Sequence, residues 1–296
     1  MSTFTRHYPV HEVRPYINWP YFFHAWGFPV RFSAISQIHA CPSCRKAWTN
    51  GFPSEERTRA IEAMKLYDDA CRVLDSWGHS PLCTHSRVRL LEANGDGEDI
   101  VLTRLGITIP LLRQQHPAEE GPCLCLADFV RPLESGKADR IGLFVCTADQ
   151  GFVTGNLDDY QSLLCQTLAD RLAEATAELA HQITRREWWG YAPDEKLCIR
   201  ELFEERYQGK RPAVGYPSLP DQSLCFLLSD LLDFPSLGVT LTESGAMVPH
   251  ASTCGLMLSH PATRHFSVGT VGDDQLQDYA RRRGMKVEDL RRFVAH

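Results

Sequence analysis

The sequence predicts a mixed α and β globular protein, and three observations predict it. Of its 296 residues 43% are hydrophobic and 23% charged, the balance of a chain that buries a core and stays in water. Two long segments repeat apolar residues at three- and four-residue steps, the helical signature. Several short apolar runs, bounded by glycine and turn residues, have the length and composition of buried strands. The length accommodates one or two domains, at roughly 100 to 200 residues each.

A net charge of −6 argues against wholesale binding to nucleic acid or to a membrane surface. Residues 1–10 lack the apolar core of a secretory signal. No run reaches the roughly 18 apolar residues that span a bilayer; Leu224 to Phe234 comes nearest and is broken by Asp230 and Asp233. Eleven cysteines without a signal predict reduced thiols and a cytoplasmic location, and the odd count argues against a complete disulfide framework.

In chain order, residues 15 to 30 gather aromatic rings at 16, 19, 21, 22, 23, 26 and 28, which build a core wall or line a pocket. Asn18 and His24 are the polar members of that wall. His39, Cys41 and Cys44 follow: idle thiols are the default reading, and half a zinc site or a redox pair is the alternative, with Cys83 and His85 as candidate further ligands. Ser54 caps a helix running to about Trp77, with Ile61, Met64, Tyr67, Cys71 and Leu74 on one stripe. Asn94 to Gly97 forms a turn before a strand over 99–103. Residues 123–127 and 141–147 read as buried strands.

The clearest helix runs from Asp158 to about Trp188. Asp158 and Gln161 suit an N-terminal cap. Leu164, Leu168, Leu172, Ala175, Leu179 and Ile183 form its apolar stripe, whereas Asp170, Arg171, Glu174, Glu178 and Arg185 fall outside it. A short amphipathic segment, 201–207, is followed by an apolar helix over 224–232 and a strand over 239–243. Residues 255–259, 260–263 and 264–269 read as strand, turn and strand. The tail from Asp273 to His296 is two short helices broken at Gly284; its arginines suggest a DNA-reading pair, but the overall acidity favours a surface pair.

The segment with the most distinctive chemistry is Arg211-Pro-Ala-Val-Gly-Tyr-Pro217. Two prolines and a glycine hold it out of regular structure, so it presents one cation, one ring and free backbone amides. Arg211 offers a planar fork for a carboxylate or phosphate, and Tyr216 a face on which a planar group can stack. A small-molecule clamp and a plain proline-rich connection both fit this chemistry. No GxSxG, HExxH, glycine-rich dinucleotide loop or phosphate loop is present, and Ser135-Gly-Lys-Ala-Asp139 lacks the flanking residues of the last.

A set of ordered blocks resembles a known family. Ile17-Asn-Trp-Pro-Tyr-Phe-Phe23, Cys125-Leu-Ala-Asp-Phe-Val130, Leu168-Ala-Asp-Arg-Leu-Ala-Glu-Ala175, Trp189-Gly-Tyr-Ala-Pro193, Tyr207-Gln-Gly-Lys-Arg-Pro-Ala-Val-Gly-Tyr-Pro217, Ser259-His-Pro261 and Asp278-Tyr-Ala-Arg-Arg282 are similar to the C-terminal S-adenosylmethionine (AdoMet)-binding reactivation domain of cobalamin-dependent methionine synthase. The blocks keep that family's order from residue 15 to near the end, with 31–85 and 104–122 matching poorly.

The resemblance implies an α+β fold: one C-shaped mixed domain over 1–296, with a central antiparallel sheet flanked by helices. It implies AdoMet as ligand and cobalamin, supplied by a partner, as methyl acceptor. In that family cob(II)alamin is reduced by flavodoxin and trapped by methyl transfer. The chain is therefore expected to be a reactivation subunit serving a separate methionine synthase cobalamin module or related corrinoid protein, with a flavodoxin-like reductant. The alternative is a docking module for a corrinoid protein that has lost AdoMet chemistry. Carried over by residue, Arg211 holds the AdoMet carboxylate, Ala213 and Gly215 supply backbone contacts, Glu205 favours the ligand's positive charge, and Tyr216 stands at the methyl-transfer face. Asn18 replaces an aspartate of the family and His265 a tyrosine, so both are candidate ligand contacts with altered chemistry. Val248-Pro-His250 replaces a Trp-Pro-Gly segment and adds a histidine. No metal ligands are implied.

Overall fold

A fourteen-residue strand, Cys83–Asp96, is the axis of the fold in the computed structural model, which describes residues 2–116, 121–155 and 157–294. Residues 117–120 of the poorly matching 104–122 segment, and the last two of the tail, lie outside the described residues. The chain begins with strand β1 (Ser2–Pro9), short helices α1 (Val10–Val13) and α2 (Trp19–Ala25), then α3 (Pro42–Asn50) and α4 (Arg57–Gly78). Strands β2 (Cys83–Asp96), β3 (Asp99–Leu102), β4 (Ile107–Pro110) and β5 (Asp139–Ala148) come next. Helices α5 (Asp159–Ile183), α6 (Ile199–Phe203) and α7 (Leu224–Leu232) precede strands β6 (Thr240–Leu241), β7 (Met247–Val248) and β8 (Ser252–Met257), and α8 (Asp273–Arg283) and α9 (Val287–Leu290) end the fold.

The main sheet is antiparallel throughout, in the order β4-β3-β2-β5-β8, with β1 pairing the first half of β2. Both faces are covered, which gives the expected α+β fold with a central antiparallel sheet. On one face α5 buries all six residues of its stripe, against the aromatic wall that includes Phe22 and Phe23. Asp158 and Gln161 cap it reciprocally, as their spacing predicts. On the other face α7 buries Leu224, Leu228, Leu231 and Leu232 against Leu91, Ile141, Leu143 and Leu256.

No apolar run announces β1 or β2, because their inward positions are partly polar. Thr84 and Ser86 are fully buried, each satisfied by a hydroxyl: Thr176 donates to Thr84 at 2.6 Å, and Ser86 bonds Tyr8 at 3.0 Å. On the opposite face Arg87 and Arg89 donate to Leu232 O and Leu231 O, the free carbonyls at the C-terminus of α7.

Several elements differ from expectation. Ser54 lies in a 3-10 turn and caps nothing; α4 starts at Arg57 without a side-chain cap. Its buried face is Ala60, Ala63, Leu66, Ala70, Leu74 and Trp77, while Ile61 is 51% exposed. Small alanines let the helix approach its neighbours, so the larger Met64 and Tyr67 flank the contact instead of centring it. Asn94 and Gly95 belong to β2, and the turn is Gly97-Glu98. Asn94 is buried there and donates to Arg131 O and Lys137 O.

Residues 123–127 form no strand, although Cys125, Leu126 and Ala127 are buried, since Asp128 takes the Cys125 N–H to cap a 3-10 turn, Leu126–Phe129. The 239–243 strand shrinks to β6, paired with β7. Residues 264–269 form no strand; Val268 N–H bonds Pro217 O instead, which ties this segment to the Arg211 loop. The tail is the helical pair expected, and four of its arginines are taken by acidic partners: Arg281 and Arg282 by Asp278, Arg283 by Asp221, Arg291 by Asp273. Among the described residues no helix is long and apolar enough to cross a membrane, and the eleven cysteines are free thiols.

Candidate functional site

A cavity of about 620 Å³ opens between α5, the start of α2, and the loops over 205–218 and 265–267. The Arg211 loop reaches it by running along β8. Lys210 and Leu258 exchange backbone hydrogen bonds at 2.9 Å, Leu256 N–H donates to Pro212 O, and Val214 N–H donates to Cys254 O. The strand can accept this neighbour only through Gly255, where a Cβ would lie 2.2 Å from Pro212 O and 2.7 Å from Ala213 Cα. The loop is therefore ordered, as its prolines predict. Most of its amides are not free, however: those of Val214, Gly215 and Tyr216 are bonded within the protein, as is that of Lys210 just before it.

Of the sequence-predicted residues, Asn18, Glu205, Arg211, Ala213, Tyr216 and His265 all line this cavity. Gly215 does not. It adopts φ +86, which glycine tolerates, and its N–H closes a turn to Leu219 O, so it shapes the loop from behind. His24 is exposed and apart from the lining. Asn18 also has a local task, its Oδ1 accepting the Tyr21 N–H as N-cap of α2.

Sequence reasoning missed what α5 contributes. Arg171, Glu174 and Glu178, set aside as its polar side, line the cavity. Their three- and four-residue spacing puts them on one face, a signal that was present. Glu178 is 8% exposed, and its Oε2 accepts from Arg211 at 2.9 Å. Arg211 is thus a half-committed cation and not a free one, its Nε and Glu178 Oε1 both buried without a partner among the described residues. Glu174 accepts from the Tyr216 hydroxyl at 3.1 Å, a neutral donor. Burial, with the Glu174 carboxylate beside it, pushes the Tyr216 phenol up to about 12, so it stays protonated at neutral pH.

Glu205 ends α6 in the left-handed region at φ 53. Its carboxylate lies 3.3 Å from His265 Nε2 and 3.5 Å from Lys210 Nζ. Burial alone would raise its pKa, but the His265 hydrogen bond and the two charges outweigh burial and hold it below the usual range. His265 therefore acts on Glu205 as well as on the cavity.

A model of the family described as "Vitamin B12 dependent methionine synthase, activation domain" matches residues 9–284. The chain belongs to this family. The match runs through 31–85 and 104–122, the stretches expected to match poorly. Among solved structures the chain is similar to a crystal structure of the MetH reactivation domain bound to AdoHcy, at 34% identity and a TM-score of 0.84, over 99% of this chain and 89% of that one.

Behind the cleft of this activation domain lies a buried basic group. Arg185 is fully buried, bonds Glu195 through two nitrogens at 2.7 and 2.8 Å, and stacks 3.9 Å from the centre of the Tyr207 ring. His181 packs edge-on against the same ring, with neither nitrogen partnered among the described residues. Burial, then the charges of Arg185, Arg211 and Lys210, depress its pKa well below 6.5. The unfolded chain takes up this proton first, so stability is complete above about pH 6.5 and is lost as pH falls below it, at about 1.4 kcal/mol per pH unit. Urea unfolding at about pH 7.5 and about pH 5.5 should show a smaller acid loss for His181→Phe than for the wild type; equal losses would refute the assignment. His250 lies apart, 91% exposed in its side chain and 3.0 Å from Asp170 in a small neighbouring cleft.

Proposed function

We propose that this activation domain binds AdoMet in the cleft and presents its methyl group to cobalamin carried by a methionine synthase cobalamin module or a related corrinoid protein. The acceptor is first reduced by a flavodoxin-like donor. The residues fit AdoMet on two counts. The volume suits a ligand of that size. The buried Arg211–Glu178 pair, each partner with an atom left unsatisfied, also complements the carboxylate and ammonium of an amino-acid end. That pair is the observation that carries the reading.

In this reading Arg211 holds the carboxylate, Glu178 the ammonium, and the Ala213 backbone the rim of the ligand. Glu205 is already paired, so Glu174, bonded to a neutral phenol, is the carboxylate that favours the sulfonium. Tyr216, 51% exposed at the mouth, stands on the side from which a partner arrives. With its proton retained it orients Glu174 and takes no part as a base. Cobalamin, when bound on its partner, supplies the reduced cobalt that accepts the methyl group while AdoMet leaves as AdoHcy. The activation domain contributes alignment and exclusion of water. Asn18 and His265 keep hydrogen-bonding side chains at the positions where the family resemblance implies an acid and a phenol.

Calorimetric titration with AdoMet, followed by transfer of a labelled methyl group to a cobalamin-loaded corrinoid protein with a reduced flavodoxin-like donor, tests this. Saturable binding and label on the corrinoid are expected. No binding at about 1 mM AdoMet would overturn the reading and leave the docking alternative, and binding without transfer would overturn the methyl-transfer role.

A further inference from the structure

The segment between α2 and α4 contains a group that the cleft does not use. Cys41 is the N-cap of α3, its Sγ accepting the Cys44 N–H at 3.5 Å, with Pro42 as the first helical residue. His39 turns back onto the same turn, its Nδ1 accepting the Cys41 N–H at 3.3 Å. One ligand atom from each of His39, Cys41 and Cys44 lies within 4.8 Å of the other two. Neither Cys83 nor His85 joins them: His85 bonds Asp149 at 2.7 Å and packs against His7.

We infer that His39, Cys41 and Cys44 form a three-ligand site for a zinc-class ion, with the fourth position left to water. Two thiolates and an imidazole are the donors that select such ions over hard cations. Bond lengths of about 2.3 Å to sulfur and 2.0 Å to nitrogen require donors about 3.5–3.8 Å apart, so closing the site needs roughly 1 Å of side-chain rotation. The solvent-reachable side chains of His39 and Cys44 can supply it. The backbone beneath them is held. Arg45 pairs with Asp68 of α4, and Phe52, just past α3, stacks on Phe32 and meets Trp48 edge-on. The N–H bond to the Cys41 sulfur also orients that donor before any ion arrives. Among the described residues no fourth His, Cys, Asp or Glu completes the group, which makes the ion exchangeable instead of enclosed.

The test is uptake of Zn²⁺ by the reduced, metal-free protein in competition with a chromophoric chelator, with Co²⁺ as the spectroscopic probe. The wild type is expected to hold one Zn²⁺ per chain, and its Co²⁺ form to show thiolate charge transfer and intense tetrahedral bands. Cys41→Ser/Cys44→Ser should lose this uptake while keeping the wild-type circular dichroism and AdoMet titration. His39→Ala should weaken uptake by at least the ~10- to 100-fold that loss of a mere outer-shell partner costs. The double variant is needed because nine other thiols compete. Equal Zn²⁺ uptake by wild type and double variant, or weak octahedral Co²⁺ bands without charge transfer, would overturn the site without touching the reading of the cleft.

Discussion

Arg211→Ala is expected to abolish AdoMet binding at practical concentrations and to destabilise the fold at the same time. Truncating one partner of a desolvated, hydrogen-bonded charge pair typically costs about 2–5 kcal/mol of binding, roughly 30- to 4,000-fold in affinity. Here the same change also strands Glu178, whose side chain is 11% exposed and loses the cation it pairs with. An uncompensated buried carboxylate costs about 3–5 kcal/mol, discounted towards the lower figure because Arg211 retains 14% exposure. Loss of binding in this variant alone would therefore be ambiguous. Arg211→Met/Glu178→Gln separates the two effects, because it removes the pair together and should recover most of the stability without recovering the ligand. Urea midpoints and AdoMet calorimetry on the three proteins decide it. An Arg211→Ala protein that bound AdoMet within about threefold of wild type would sink the clamp assignment.

Glu195→Ala should produce the largest loss of stability of any surface-remote substitution that leaves the hydrophobic core intact. Its partner Arg185 has no exposed side-chain area and cannot release its proton, so without Glu195 a charge remains in the interior. One of its nitrogens, Nη1, is already buried without a partner among the described residues, which leaves no spare compensation. A loss of about 3–5 kcal/mol is expected, lowering the thermal midpoint by about 5–8 °C. The effect should extend to the cleft, since Arg185 lies against the Tyr207 ring that lines it. A shift equivalent to less than about 1 kcal/mol would mean that water reaches Arg185 and that the buried-pair account is mistaken.

The parts of the molecule legible in the sequence are those whose burial follows a simple period. Helix α5 declares its cap, length and stripe because every third or fourth residue faces one core. Helix α7 is legible for the same reason, and strand β5 through an unbroken apolar run buried on both faces. Strand β2 was not, because it places Thr84 and Ser86 inward and pairs each with a hydroxyl brought from a distant segment. Residues 123–127 and 264–269 have the composition of strands, yet the Asp128 carboxylate, accepting from Cys125 N–H, and the distant Pro217 O, accepting from Val268 N–H, capture them first. In the cleft, Asn18, Arg211 and Tyr216 were visible within the ordered blocks, and Glu205 and His265 as residues flanking them. Glu174 and Glu178 were visible only as the polar side of a helix, which ordinarily means solvent.

The sequence by itself determined the class of elements, the aromatic wall, the ordered loop at 211–217 and the family resemblance, because each is written in short-range spacing or in conserved order of blocks along one chain. Only the tertiary structure decided that α5 turns its polar face to a cavity, that Arg211 arrives there already paired with Glu178, that His265 restrains Glu205, and that His39 joins Cys41 and Cys44 while His85 does not. Those outcomes depend on which distant groups meet and on how much water is excluded when they do. The same glutamate is a solvated surface charge or half of a buried pair according to that meeting, and no local pattern distinguishes the two.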